Sequence, residues 1–160
     1  AELVIEMRAQ TRLWFYALLF MSVTLENTTP YKNVFAYEEV RDERGKPMHK
    51  SLGNAIWFDE AVEKMGADVM RFMYIQQNPM NVLPFGYTPA KEVHKNLSII
   101  WNLANYIKLY CRPYKQESSD IASKWLISKR ETLKKEVTQH LEKLQPHLAL
   151  KELKNFFLED

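Results

Sequence analysis

Cysteine is almost missing from this 160-residue chain: Cys111 stands alone. That rules out an internal disulfide and a thiolate-rich metal site. Set in the apolar stripe of a helical stretch, Cys111 is expected to be a buried thiol. Long apolar runs are missing as well. The most hydrophobic stretch, residues 13–23, falls well short of the roughly 20 residues that a membrane span requires. The start is acidic and Ala1 is not a Met, so no signal peptide is visible. These absences point to a reducing, cytoplasmic setting without a membrane, and the missing Met suggests a piece of something longer. No His-based metal spacing is present: His94, His140 and His147 fall on helical stretches and read as surface residues. No nucleophile–base pair, carboxylate pair of defined spacing, internal repeat or low-complexity tract stands out.

A large excess of one charge is also lacking. The net charge is +2, but it is uneven. Residues 1–87 carry 9 Lys and Arg against 11 Asp and Glu, and residues 88–160 carry 13 against 9. The second half, at net +4, permits RNA contact without demanding it. Its basic residues Lys91, Lys95, Lys108, Arg112, Lys129 and Arg130 read first as a solvated face and second as an RNA-facing one. What the chain does have is apolar content: 46% hydrophobic and 12% aromatic residues are enough for a folded core.

Taken in order, residues 1–6 read as a strand with Leu3 and Ile5 on one face. Leu13, Tyr16, Phe20 and Val23 recur at helical spacing, and Asn27-Thr28-Thr29-Pro30 ends that helix. Residues 33–41 alternate as a second strand, making the front a hairpin-like strand pair. Asp42-Glu43-Arg44-Gly45 is a reversal. A helix opens at Phe58 or Asp59 and breaks at Gly66, and another spans 68–76 with Val69, Phe72 and Met73 inward. Residues 77–87, with Pro79, Pro84 and Gly86, read as a linker. Thr88-Pro89 has the form of an N-cap and first helical residue. The helix it opens runs to about Cys111 on a stripe of Val93, Leu97, Ile100, Ala104 and Ile107, and Pro113 closes it. Ser118-Ser119-Asp120 caps a long helix over 121–144 with Leu126, Leu133, Val137, Leu141 and Leu144 as its core stripe. Pro146 starts a last helix carrying Leu150, Leu153 and Phe157, and Glu159-Asp160 ends the chain without a polar tail. Trp14, Phe15 and Trp101 read as core. Truncating Trp125 or Leu133 to Ala is expected to cost the bundle about 2–5 kcal/mol. The fold expected is mainly α: a short strand pair with helices, then an up-and-down helical bundle.

Between strands and helices lies Lys46-Pro47-Met48-His49-Lys50-Ser51-Leu52-Gly53-Asn54. By residue type a plain solvated turn is the first reading. The second is an anion site, with a Lys ammonium, a Ser hydroxyl and Gly-freed backbone N–H groups to hold phosphate oxygens.

Met48-His49-Lys50-Ser51-Leu52-Gly53-Asn54 resembles the KMSKS signature of class I aminoacyl-tRNA synthetases, which continues Leu-Gly-Asn in the isoleucine enzymes. Four more blocks follow that family in order and spacing. Glu6-Met7-Arg8-Ala9-Gln10-Thr11-Arg12-Leu13-Trp14-Phe15 is similar to its Glu-Gly-x-Asp-Gln-His-Arg-Gly-Trp-Phe segment. Gly66-Ala67-Asp68-Val69-Met70-Arg71 resembles the helix after the KMSKS loop. Trp101-Asn102 and Lys124-Trp125-Leu126-Ile127-Ser128-Lys129 look like helices of the anticodon-binding domain.

The resemblance implies the end of a Rossmann catalytic core over residues 1–80, with the KMSKS-like loop at 47–51, and a truncated anticodon-binding helical bundle over 81–160. It implies a ligase that activates isoleucine with ATP and Mg2+ and charges tRNA, with valine or leucine as alternative substrates. Lys50 and Ser51 would be catalytic, and Met48, His49, Lys50, Gly53, Glu6 and Gln10 would bind nucleotide or adenylate. No metal-ligand set within the chain is implied. Some positions depart from the family: Met7 and Leu13 replace glycines, Ala9 replaces an Asp, and Pro47 and His49 replace the first Lys and first Ser of KMSKS. Ala9, Pro47 and His49 favour a second reading, a non-catalytic tRNA- or protein-binding paralogue. No His-x-Gly-His run occurs, so the first half of the catalytic fold is expected to lie outside this chain, which alone would be inactive.

Overall fold

The computed structural model describes residues 1–112 and 120–158. The sequence readings at Pro113, Ser118-Ser119 and Glu159-Asp160 lie outside the described residues. Helix predominates and the sheets are small. The chain forms two compact units, Ala1–Ala55 with Gln77–Phe85, and Ile56–Gln76 with the described residues from Gly86 onward.

In the first unit β1 (Leu3–Met7) and β2 (Asn33–Tyr37) pair in parallel, with Leu3 opposite Asn33 and Met7 opposite Tyr37. A 3-10 turn over Arg8–Arg12 and then α1 (Trp14–Glu26) connect them. Parallel neighbours need such a crossover, so the front is a β–α–β unit and not a hairpin-like run. The stretch 33–41 also breaks in two. Glu38 N–H leaves the ladder to donate to the Pro79 carbonyl at 2.8 Å, and β3 (Val40–Arg41) pairs in parallel with β4 (Leu83–Pro84), inside the stretch read as a linker. An antiparallel hairpin survives only as a bridge between Arg41 and Pro47 around the Asp42–Gly45 reversal.

Burial in this unit departs from the periodic stripe. Of α1 only Phe15 is buried, with Tyr31 donating its hydroxyl to the Phe15 carbonyl at 3.2 Å. Leu13, Tyr16, Phe20, Val23 and Trp14 are exposed, as are Leu3 and Ile5 on β1. Phe15, Leu83 and Phe85 are the buried apolar side chains here. Asn27, at φ +50°, closes α1; Asn accepts that left-handed conformation more readily than most residues.

The second unit holds α2 (Phe58–Met65), α3 (Ala67–Gln76), α4 (Tyr87–Tyr110), α5 (Ile121–Glu142) and α6 (Pro146–Leu158). Gly66 separates α2 from α3 at φ +87° and ψ 144°, a backbone conformation that is close to glycine-only. Ala61 and Met65, one turn apart, face inward from α2. With Val69, Met70 and Met73 of α3, Ala90 and Val93 of α4 and Ala149 of α6 they are the buried apolar side chains of this unit among the described residues. Met70 joins Val69 and Met73 where the sequence suggested Phe72, which is half-buried. Helix α3 packs on α4 and α6, and α5 packs on α6. Glu60 ties α2 to the start of α4 by accepting from Tyr87 Oη and from Lys64 Nζ, both at 2.8 Å.

Other expectations change in detail. Helix α4 is capped by Gly86, with Thr88-Pro89 inside the first turn, where Pro has no bond to lose. Its second half is exposed, Trp101, Ala104 and Ile107 included, and Cys111 at its end is exposed and not buried. Asp120 caps α5, accepting from Ser123 N–H at 2.8 Å. Leu133 and Val137 are half-buried, whereas Leu126, Leu141 and Leu144 are exposed. On α6, Leu150 and Leu153 are half-buried and Phe157 is exposed. His140 and His147 are half-buried instead of fully on the surface, and His94 is exposed. Trp125 is 49% exposed, with Lys129 Nζ 5.5 Å from its ring centre. Trp125→Ala is therefore expected to cost only about 1 kcal/mol in a denaturant melt, below the range the sequence suggested. A loss as large as that of a core residue would contradict this packing. No helix among the described residues is long and apolar enough to cross a membrane.

Candidate nucleotide-facing loop

Parallel strands hold ligands beyond their carboxyl ends, where loops diverge into a crevice. The β1–β2 pair has such a crevice. A cleft of about 650 Å3 is lined by Met7, Arg8, Ala9, Thr11, Arg12, Glu38 and Glu39, the residues that follow the two strands. Arg8 Nε lies 2.7 Å from Glu38 Oε1. Glu6 and Gln10, expected at this site from the sequence, are chain neighbours of the lining residues but do not themselves line the cleft. Glu6 is half-buried on β1, opposite Ala36, and its Oε1 accepts from Met7 N–H at 3.2 Å. Gln10 Oε1 accepts from Trp14 N–H at 3.3 Å, so the amide caps the first turn of α1. Arg8, Arg12, Glu38 and Glu39 are additions that sequence reading missed. Their signal is charge in the segments that follow each strand, visible only once the strands are known to run parallel.

The loop begins at the Arg41–Pro47 bridge. His49 is extended, Lys50–Leu52 form a 3-10 turn, and Gly53 closes it at φ +65°. A Cβ at Gly53 would meet nothing within 4 Å, so glycine is needed there for backbone conformation and not for space. His49, Lys50, Ser51 and Gly53 are exposed and Met48 is half-buried. The chain therefore places an exposed Lys and an exposed Ser at consecutive positions of one short turn. Leu52 is 65% exposed, so the loop is not held by an apolar core of its own.

Hydrogen bonds hold it. Asp42 Oδ1 accepts from Arg44 N–H at 2.9 Å and Lys46 N–H at 2.8 Å. Asp42 Oδ2 accepts from Asn54 Nδ2 at 2.9 Å. Asn54 Nδ2 also donates to the Pro47 carbonyl at 3.0 Å, and Asn54 Oδ1 accepts from His49 N–H at 2.9 Å. The Asn54 amide first, then the Lys46 N–H, with further help from Arg44 N–H and the Lys46 ammonium, hold the Asp42 carboxyl below its ordinary value against desolvation. A depressed folded pKa contributes stability that is present above the unfolded value and lost as pH falls through the folded one. Protection of the Arg44 and Lys46 amides, corrected for intrinsic exchange, is thus expected to hold from neutrality down to about pH 4 and then fall. Protection that persists unchanged into stronger acid would contradict the role of the carboxylate.

Among the described residues no group of three or more His, Cys, Asp or Glu side chains is placed to hold a metal ion. Any Mg2+ at this loop would have to take its ligands chiefly from nucleotide phosphates and water, which is its usual habit.

A sequence model of the tRNA synthetases class I (I, L, M and V) matches residues 1–83. The chain is 36% identical over 170 residues to the isoleucine–tRNA ligase of Pyrococcus furiosus, covering 100% of this chain and 16% of that protein. It is 34% identical over 169 residues to the isoleucine–tRNA ligase of Methanothermobacter marburgensis, covering 99% of this chain and 16% of the relative. The chain thus spans about a sixth of the length of these curated relatives. Among solved structures it is similar to the Agrobacterium radiobacter K84 agnB2 LeuRS in a ternary complex with tRNA and LeuAMS. That match has a TM-score of 0.74 and 14% identity, and covers 98% of this chain and 22% of that one. At that identity the likeness speaks for the fold alone. The family model covers more than half of the chain, and the chain belongs to the class I tRNA synthetases.

Proposed function

We propose that the protein of which this chain is a part is an isoleucine–tRNA ligase. It joins the isoleucine carboxylate to the α-phosphate of ATP with release of pyrophosphate, then passes the acyl group to the 3′ end of tRNA with release of AMP. The observation that carries this reading is the loop, which offers exposed Lys50 and Ser51 together on a hydrogen-bonded turn. Near-complete coverage by isoleucine–tRNA ligases supports the choice of amino acid. Residues 1–80 end the catalytic Rossmann core, a role the parallel β1–α1–β2 unit supports. Residues 81–160 begin the anticodon-binding bundle, which the α4 to α6 helices support. The parent works in the cytoplasm.

In this reading Lys50 neutralises charge developing on the ATP phosphates as pyrophosphate leaves, which is electrostatic stabilisation of the transition state. Ser51 donates its hydroxyl to the same oxygens, Gly53 lets the backbone turn, and Met48 and His49 flank the nucleotide. His49 adds a cation only when protonated. Glu6 and Gln10 hold the adenylate beside the cleft at the end of β1. Mg2+ arrives with the ATP phosphates.

The second reading is a tRNA- or protein-binding paralogue that has lost the chemistry, and the cleft favours it at one point. Ala9 lines that cleft where the family places a carboxylate. Charging of tRNA by the full-length protein separates the two readings: isoleucyl-tRNA is expected. Retained tRNA binding without charging by isoleucine, valine or leucine would establish the paralogue instead.

A further inference from the structure

We propose that Asp42 and Asn54 form a latch that sets the resting shape of the 47–53 loop, making Asn54 a positioning residue for Lys50. This rests on the role given to Lys50 above. The Asn54 side chain uses both of its amide hydrogens and its amide oxygen at the base of the loop. Both amide hydrogens are donated, to Asp42 Oδ2 at 2.9 Å and the Pro47 carbonyl at 3.0 Å, and the amide oxygen accepts from His49 N–H at 2.9 Å. The orientation of the amide follows from this chemistry. Turned over, it would set its oxygen against a carboxylate and a carbonyl, and its NH2 against an N–H.

The consequence for the backbone is specific. Pro47 and His49 lie on either side of Met48, and one side chain from beyond Gly53 pins both. The direction in which the chain enters the Lys50–Leu52 turn is thereby set, and with it the base from which the Lys50 side chain extends. Asp42 couples this to the preceding reversal, because the carboxylate that accepts from Asn54 also accepts from Arg44 and Lys46 N–H. Asp42 and Asn54 are half-buried, while His49 to Gly53 are exposed. Polar contacts at the base, and not packing at the tip, therefore hold the loop. Such contacts can be exchanged for others without opening an apolar core, as a loop that meets and releases phosphates requires.

The test is a double-mutant cycle in the full-length protein, read by ATP–pyrophosphate exchange with isoleucine, with thermal melting as a fold check. Asn54→Ala is expected to lower kcat by about 10- to 100-fold, the usual scale for a misplaced catalytic group, while the KM for isoleucine stays the same. Added to Lys50→Ala, the same change is expected to have little further effect, since its action runs through Lys50. Asp42→Ala should behave like Asn54→Ala. Hydrogen exchange on the loop peptide should quicken in both variants. If Asn54→Ala leaves kcat intact, multiplies the Lys50→Ala loss in full, or leaves loop protection unchanged, the latch is overturned. If Lys50→Ala itself leaves exchange intact, the functional reading falls and the positioning role with it. A loss from Lys50→Ala without one from Asn54→Ala removes the latch alone.

Discussion

Lys50→Ala in the full-length protein is expected to slow ATP–pyrophosphate exchange by about 100- to 1000-fold, the usual loss when one preorganised group facing developing charge is removed. A solvated lysine on a loose loop gains little from meeting a phosphate, because ordering the side chain and its backbone costs conformational entropy. Here the Asp42–Asn54 hydrogen bonds have already ordered the backbone beneath Lys50. In the role proposed for Lys50, the cation would reach the developing charge at reduced entropic cost. The loss should fall on kcat, with the KM for isoleucine unchanged, because the proposed interaction would strengthen only as pyrophosphate departs. Lys50→Arg keeps the charge but replaces a compact ammonium with a planar fork, so it should recover part of the rate and not all of it. Unchanged exchange in Lys50→Ala would leave Lys50 an ordinary surface residue.

Met73→Ala is expected to destabilise the helical unit by about 2–5 kcal/mol, the range for emptying a large core side chain. Met73 is 1% exposed on α3, and α3 packs against both α4 and α6. The cavity would open where three helices meet, a place with little freedom to collapse. Its neighbours Val69 and Met70 are also buried, so no flexible surface side chain stands ready to fill the space. Urea unfolding of the chain, followed by far-UV circular dichroism, checks this against Trp125→Ala. A Met73→Ala loss no greater than that of the half-exposed tryptophan would show that the core has been misplaced.

Local rules read some elements well. Gly66 as a break, Pro146 as a helix start, Asp120 as a cap and the Asp42–Gly45 reversal all act within a few residues, where backbone chemistry decides. The loop was visible for the same reason: Lys50, Ser51 and Gly53 stand next to one another in the chain. Pairing was not visible. Whether β1 meets β2 in parallel or as a hairpin depends on a crossover, and alternation in 33–41 looks the same either way. The cleft of Arg8, Arg12, Glu38 and Glu39 was hidden with it, because those residues meet only through the parallel pairing.

Periodicity identifies which residues share a face but not what covers that face. Leu13, Tyr16, Phe20 and Val23 share a stripe, yet within this chain they are exposed. Trp101, Ile107 and Cys111 are exposed in the same way. The chain spans only about 16% of its isoleucine–tRNA ligase relatives, so packing inside it is one part of the packing such a protein has. The hydrogen-bonding role of Asn54 is hidden for a different reason, although the residue itself closes the signature. A polar residue after a glycine reads as loop filler until its partners, five to twelve positions earlier, are seen.

The central claim is an amino-acid-activating ligase specific for isoleucine, and the most direct measurement is ATP–pyrophosphate exchange by the full-length protein. Isoleucine, valine and leucine are offered one at a time. Exchange driven by isoleucine, and far more weakly by the other two, is the expected result. Exchange driven instead by valine or leucine would overturn the choice of substrate, and no exchange with any of the three would contradict the ligase itself.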